Sequence, residues 1–179
     1  AQRFLFECLH KRILDGGHGR VALSDTLAGQ TTPDGRLIVD SATLFLSHAW
    51  AKDTLGRDNH KRVARLNDGL RARKLASWFD AQGDMAGNTL QAMTNGIDES
   101  SAVAVFVTRE YIEKCKKPGN DNCKLEFEYA YQRKTVENLI PVVMEPACAS
   151  PASWDGPVGA VLGTQLYIDC TGDSDKDYQ

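Results

Sequence analysis

The run Ala102-Val103-Ala104-Val105-Phe106-Val107 constrains the fold more than any other stretch of this chain. Six successive apolar residues with no polar alternation have no face to offer water, so the segment reads as a strand covered on both sides, as a central parallel strand is. Shorter apolar runs at Leu44-Phe45-Leu46, Ala76-Ser77-Trp78-Phe79, Leu139 to Met144 and, more weakly, Gln165 to Ile168 bring the candidate strands to five. One-faced helical patterns separate them: Val63, Leu66 and Leu70 between the first two, then Leu90, Met93 and Ile97 before the third. Tyr111-Ile112, a loop at Pro118 to Asn122 and a helical stretch from Cys123 to about Arg133 lie between the third and fourth runs. A glycine- and proline-containing helix near Pro157 to Leu162 precedes the fifth. Strands alternating with helices are the sequence form of a parallel sheet with covering helices, which sets the start of an α/β domain just after Ser41.

Ahead of that domain, Phe4, Leu5, Cys8, Leu9, Ile13 and Leu14 recur at helical steps until Gly16-Gly17 stops them. Two short β-compatible runs, Arg20 to Leu23 and Arg36 to Val39, then flank a Pro33-Asp34-Gly35 turn. Residues 1–41 are therefore expected to be an N-terminal extension or linker with one helix, residues 42–170 the α/β domain and residues 171–179 a polar tail. Position 1 is Ala, with no charged start and apolar core behind it, so the chain reads as a segment of a longer protein.

Composition excludes several classes. A 42% hydrophobic and 25% charged chain of 179 residues is that of a globular protein with one domain. No run approaches the roughly 18 apolar residues of a membrane helix, so a soluble protein is expected. The net charge of −3 offers no general attraction to phosphates, and no nucleic-acid partner is expected. Arg57, Lys61, Arg62, Arg65, Arg71, Arg73 and Lys74 cluster locally, and read as the solvated face of an amphipathic helix. Five widely scattered cysteines disfavour a secreted disulfide scaffold and fit the cytoplasm. Their spacing gives no zinc pattern, and no metal is expected.

In open α/β sheets ligands gather beyond the carboxyl ends of the strands, so the residues after each run carry the functional expectation. Ser47 to Trp50 place a hydroxyl, an imidazole and an indole after the first strand, suited to a polar ligand with a flat ring. Asp80 to Asn88 form a loop with two glycines ahead of a helix that Asn88 or Thr89 caps. That loop matches neither phosphate-binding glycine pattern, and no Gly-x-Ser-x-Gly elbow is present. Glu126 and Glu128 lie two apart on the helix after Cys123, about 200° apart around its axis. Only one can face a given cleft, and periodicity does not choose between them; the plain alternative is that both are solvated and paired with Lys124, Arg133 or Lys134.

The ordered set of motifs resembles a Toll/interleukin-receptor (TIR) domain over about residues 42–170. Phe45-Leu46-Ser47-His48 is similar to the family's first box, and Trp78-Phe79-Asp80 with Met85-Ala86-Gly87 to its second strand and BB loop. Ser100-Ser101, Thr108-Arg109-Glu110-Tyr111, Cys123-x-x-Glu126 and Ile140-Pro141-Val142 follow in register. The resemblance implies a flavodoxin-like sheet of five parallel strands in the order 2-1-3-4-5 with helices on both faces. It also implies one of two jobs: cleavage of NAD+ to nicotinamide and ADP-ribose or a cyclic form, or a non-enzymatic scaffold that recruits other TIR domains. Enzymatic members carry a glutamate three residues after the Cys123 position, which implies Glu126 as the catalytic carboxylate and Glu128 as a bystander. His48, Ala49, Trp50, Asp80, Gln82 and Asn122 are the implied substrate contacts, with NAD+ as substrate and no further cofactor. The arginine common after the first box is replaced here by Ala49 or Trp50, and the tryptophan common before the Cys123 position by Asn122. Self-association through the loop Asp80 to Gly87 is the implied control, in signalling or immunity. Transfer or hydrolysis on another nucleotide uses the same carboxylate.

Overall fold

The computed structural model describes residues 43–73, 75–80 and 89–173. The expected helix at residues 2–14, the rest of the extension and most of the glycine-containing loop lie outside them. Five strands form one parallel sheet: β1 (Thr43–His48), β2 (Ala76–Trp78), β3 (Ala102–Val107), β4 (Leu139–Val143) and β5 (Ile168–Asp169). Their order is β2-β1-β3-β4-β5, which is the flavodoxin-like arrangement. Every pairing is parallel, with Phe45 opposite Trp78 on one side and Val103 on the other. Among the described residues five α-helices accompany the sheet: α1 (Asn59–Ala72), α2 (Thr89–Glu99), α3 (Arg109–Lys116), α4 (Asn122–Arg133) and α5 (Gly156–Leu162).

The unbroken apolar run becomes β3, buried at all six residues. Strand alternation sends Val103, Val105 and Val107 to one face, where Phe45 of β1 joins them against α2, α3, α4 and α5 through Met93, Ile97, Tyr111, Ile112, Phe127 and Leu162. Ala102, Ala104 and Phe106 point the other way and meet Leu44 and Leu46 under the Val63, Leu66 and Leu70 stripe of α1. Each α/β crossover thus hides one face of a strand that has no polar side.

Three local expectations are corrected. The weak fifth run forms a strand only at Ile168–Asp169, because Leu166 is exposed and Ile168 alone reaches the core. Leu90 does not join Met93 and Ile97 on the buried face of α2; it is exposed. The basic cluster is not simply a solvated face, since Arg62 is 1% exposed. Its guanidinium donates to the carbonyls of Met144 at 2.7 Å, Cys170 at 2.7 Å and Gly172 at 2.8 Å, and faces Asp53 at 3.3 Å. Arg57 binds the same carboxylate at 2.7 Å and the carbonyls of Met144 and Thr171. Five forked donors in one plane suit such a task, and the pair ties α1 and the loop before it to the chain leaving β4 and β5.

Candidate active site

At the carboxyl edge of the sheet, beyond β1 and β2, lies a cleft of about 430 Å3. Its walls are Leu46 and His48 of β1 with Trp50 just beyond, Trp78 of β2 with Asp80 just beyond, Lys114 from α3, and Asp121, Asn122, Cys123 and Glu126 from the start of α4. Trp78 is fixed by stacking on Phe45, with ring centroids 4.5 Å apart and planes within 9°. Gly96 of α2 makes that position available, because a Cβ there would lie 2.9 Å from the indole. Helix α4 begins where Asp121 accepts a hydrogen bond from the Cys123 amide at 2.9 Å, and its first turns carry Asn122 and Glu126 to the cleft.

The period of two along β1 divides its last residues. Ser47 turns toward the face covered by α3 and α4, and His48 toward α1. Ser47 Oγ donates to Glu126 Oε2 at 2.7 Å and lies 2.8 Å from Tyr111 Oη. Burial raises the Glu126 carboxyl to about 8, with Ser47's hydrogen bond opposing, Asp80 and Asp121 adding to the rise and Lys114 pulling back. Glu128, two residues on, is exposed and sits 3.9 Å from Lys124. The structure therefore separates two glutamates that helical periodicity leaves equivalent. Arg133 and Lys134 pair elsewhere, Arg133 with Asp98 at 2.7 Å and Lys134 with the Ser100 carbonyl at 2.6 Å.

His48 is a fixed wall rather than a proton carrier. Its Nδ1 lies 3.1 Å from the Leu46 carbonyl, which can only accept, so Nδ1 holds the proton. Its Nε2 then accepts from His60 Nδ1 at 2.8 Å. Burial lowers the ring to about 4, the Leu46 bond opposes, and the neighbouring His60 ring lowers it further. Outside this pair the Trp50 indole lies on His60, with centroids 3.7 Å apart, and keeps 43% of its surface open. A flat ring thus stands at the cleft rim in the place where the resemblance loses an arginine.

Of the expected contacts, His48, Trp50, Asp80 and Asn122 line the cleft with Glu126. Ala49 does not line the cleft: it is fully buried in the core, and its carbonyl accepts from Asn59 Nδ2 at 3.1 Å. Gln82 lies outside the described residues. Sequence reasoning missed Trp78, Lys114 and Asp121 as walls, and Tyr111 behind Ser47. Among the described residues of the cleft, the carboxyl groups of Asp80 and Asp121 face one lysine, Lys114, which is 3.7 Å from Asp121, so the local charge favours a cation, the more so once Glu126 ionises.

A family model described as TIR domain matches residues 44–179. The chain belongs to the TIR domain family. No curated protein matches it. Within this TIR domain, no described helix is long and apolar enough to cross a membrane. The family match continues past residue 170, where Thr171, Gly172 and Asp173 meet Arg57, Arg62 and Arg65.

Proposed function

We propose that this TIR domain cleaves NAD+ at the bond between nicotinamide and ribose, with Glu126 as the catalytic carboxylate. The observation that carries the reading is the setting of Glu126: a carboxyl on the wall of a cation-favouring cleft, held by one hydroxyl and raised toward neutral pH. Attached nicotinamide is a cationic pyridinium, so its arrival favours the ionised carboxylate by direct attraction. When the bond from the ribose carbon to the ring nitrogen breaks, the electron pair stays on nitrogen and nicotinamide leaves neutral, needing no proton. Positive charge passes to the sugar as an oxocarbenium, and an anion beside it lowers the barrier. Water then forms the new carbon–oxygen bond and gives up one proton, which a carboxylate with an affinity near neutral pH is suited to accept. The balance is NAD+ and water to nicotinamide, ADP-ribose and a proton; capture by the adenine ring instead of water gives the cyclic form.

Trp50 and Trp78 offer flat surfaces for the rings, while His48, Asp80 and Asn122 border the sugar's space. Self-association of TIR domains, through the segment that starts at Asp80, would control the reaction and link it to signalling and immunity. The test is to incubate the protein with NAD+ at high protein concentration and follow free nicotinamide. Wild type and Glu128→Ala should release it at similar rates, and Glu126→Ala roughly a thousandfold more slowly. Equal rates in wild type and Glu126→Ala would remove Glu126 from the chemistry. Release of nothing by any of the three, in conditions where the chain self-associates, would favour the scaffold; release from another nucleotide but not NAD+ would reassign the substrate.

A further inference from the structure

We propose that Tyr111 and Ser47 are positioning residues, forming a one-way hydrogen-bond relay, Tyr111 to Ser47 to Glu126, that aims the carboxylate into the cleft. The proposal rests on Glu126 as the reactive group, and deepens that reading rather than replacing it. The sequence puts the Ser47 hydroxyl beside the expected ligand, yet Ser47 is 1% exposed and Tyr111 is fully buried, so neither touches a ligand. Their place is behind the carboxylate.

The direction follows from counting protons. Ser47 Oγ has two close oxygens, Glu126 Oε2 at 2.7 Å and Tyr111 Oη at 2.8 Å, and one proton to give. An ionised carboxylate can only accept, so that proton goes to Glu126 and the phenol must donate to Ser47. Each donation polarises the next hydroxyl, which strengthens the final bond to the anion. A neutral Glu126 removes the best acceptor from the end of the chain, so the relay favours the charged form that the sugar cation requires.

Three elements hold the relay in place. Ser47 is in β1, opposite Val105 of β3. Tyr111 is in the first turn of α3, where its amide donates to the capping Thr108 hydroxyl at 3.1 Å. Its ring meets Phe127 edge-on, with centroids 6.5 Å apart, and Phe127 is the neighbour of Glu126 on α4. The ionisable groups around the relay are Asp80, Asp121 and Lys114 about Glu126, and Cys115 and Cys123 about Tyr111. Burial holds the Tyr111 phenol well above its ordinary range and the Cys115 thiol up to about 12, so both remain neutral donors while Glu126 titrates.

The experiment is a double-mutant cycle with Tyr111→Phe, which keeps the ring, and Ser47→Ala, read on the titration of 13C-labelled Glu126 by NMR. Ser47→Ala should move the midpoint up by about one pH unit and Tyr111→Phe by less, as expected for loss of bonds to the charged form. In the double variant Tyr111→Phe should add nothing, because its effect passes through the serine. Where nicotinamide release is measurable, the acid limb of kcat should move in the same order with KM little changed. A midpoint unmoved by Tyr111→Phe in the folded protein overturns the relay, as does an effect of Tyr111→Phe that persists in full without Ser47. Should Ser47→Ala fail to fold, Tyr111→Phe alone still decides. The NMR reading needs no turnover, so failure of the relay and failure of the enzymatic reading remain separate results.

Discussion

Glu126 and Glu145 are both carboxyl groups drawn in from solvent at the same edge of the sheet, Glu126 half-buried and Glu145 fully so, and they are treated in opposite ways. Glu145 follows β4 and is fully buried. Its Oε1 accepts the Arg109 amide at the start of α3 at 2.6 Å, and its Oε2 accepts the Thr54 amide at 2.7 Å and the Thr54 hydroxyl. Cys148 Sγ adds a weaker contact at 3.9 Å. Backbone donors and a helix N-terminus surround that carboxylate, so it fastens the loop after β1 to α3 and has no capacity left for a ligand. Among the described residues Glu126 has one side-chain donor, Ser47, and it has a cleft in front of it. Burial alone is therefore not the mark of a reactive group. Burial with unsaturated hydrogen-bonding capacity and space beside it is.

The comparison can be broken most directly at Glu145. Glu145→Ala strands the two amides and the Thr54 hydroxyl, and should cost about 3 kcal/mol in a urea titration. A loss below about 1 kcal/mol would mean that Glu145 is no more fastened than Glu126. At Glu126 the sign is reversed. Its proton affinity is raised in the folded state, so the native protein holds more protons than the unfolded chain between the ordinary carboxyl value of 4.5 and about 8. Stability from this group falls as pH rises through that window and is flat above it. Glu126→Gln should accordingly raise stability by about 2 kcal/mol at pH 9 and change it little at pH 4.

His48 sharpens the same curve, because its ring is lowered from 6.5 to about 4 and the unfolded chain holds the extra proton there. Its contribution is lost as pH falls from about 6.5 to 4, which opposes Glu126 in the overlap and leaves Glu126 alone above pH 6.5. A thermal-melt series in pH should show stability declining between about 6.5 and 8 in wild type and not in Glu126→Gln. The smallest effect belongs to Glu128, exposed beside Lys124, where Glu128→Ala should change stability by less than about 0.5 kcal/mol.

The sheet was legible because each strand announces itself by apolar length, and β3 by the absence of any polar side. The choice of Glu126 came from the ordered motifs, since a two-residue step on a helix does not say which side meets a cleft. Other features depend on tertiary contact. Ser47 and His48 face opposite ways, but only the placement of α4 and α1 shows that one meets a carboxylate and the other His60. Ala49 lies among cleft residues in sequence and in the core in space. Arg62 carried a usable signal: it sits four before Leu66, on the buried stripe of α1, where a charge without buried partners would be costly. Tyr111 had none, because its partner is 64 residues away.

The central claim is that the Glu126 carboxylate meets a sugar cation, and the most direct measurement is a proton-NMR time course of NAD+ mixed with Glu126→Gln beside wild type. The glutamine keeps the side chain's shape and the bond from Ser47 while removing the charge. The account predicts perturbed NAD+ resonances with both proteins and free nicotinamide from wild type alone. Free nicotinamide at the wild-type rate from Glu126→Gln would contradict it.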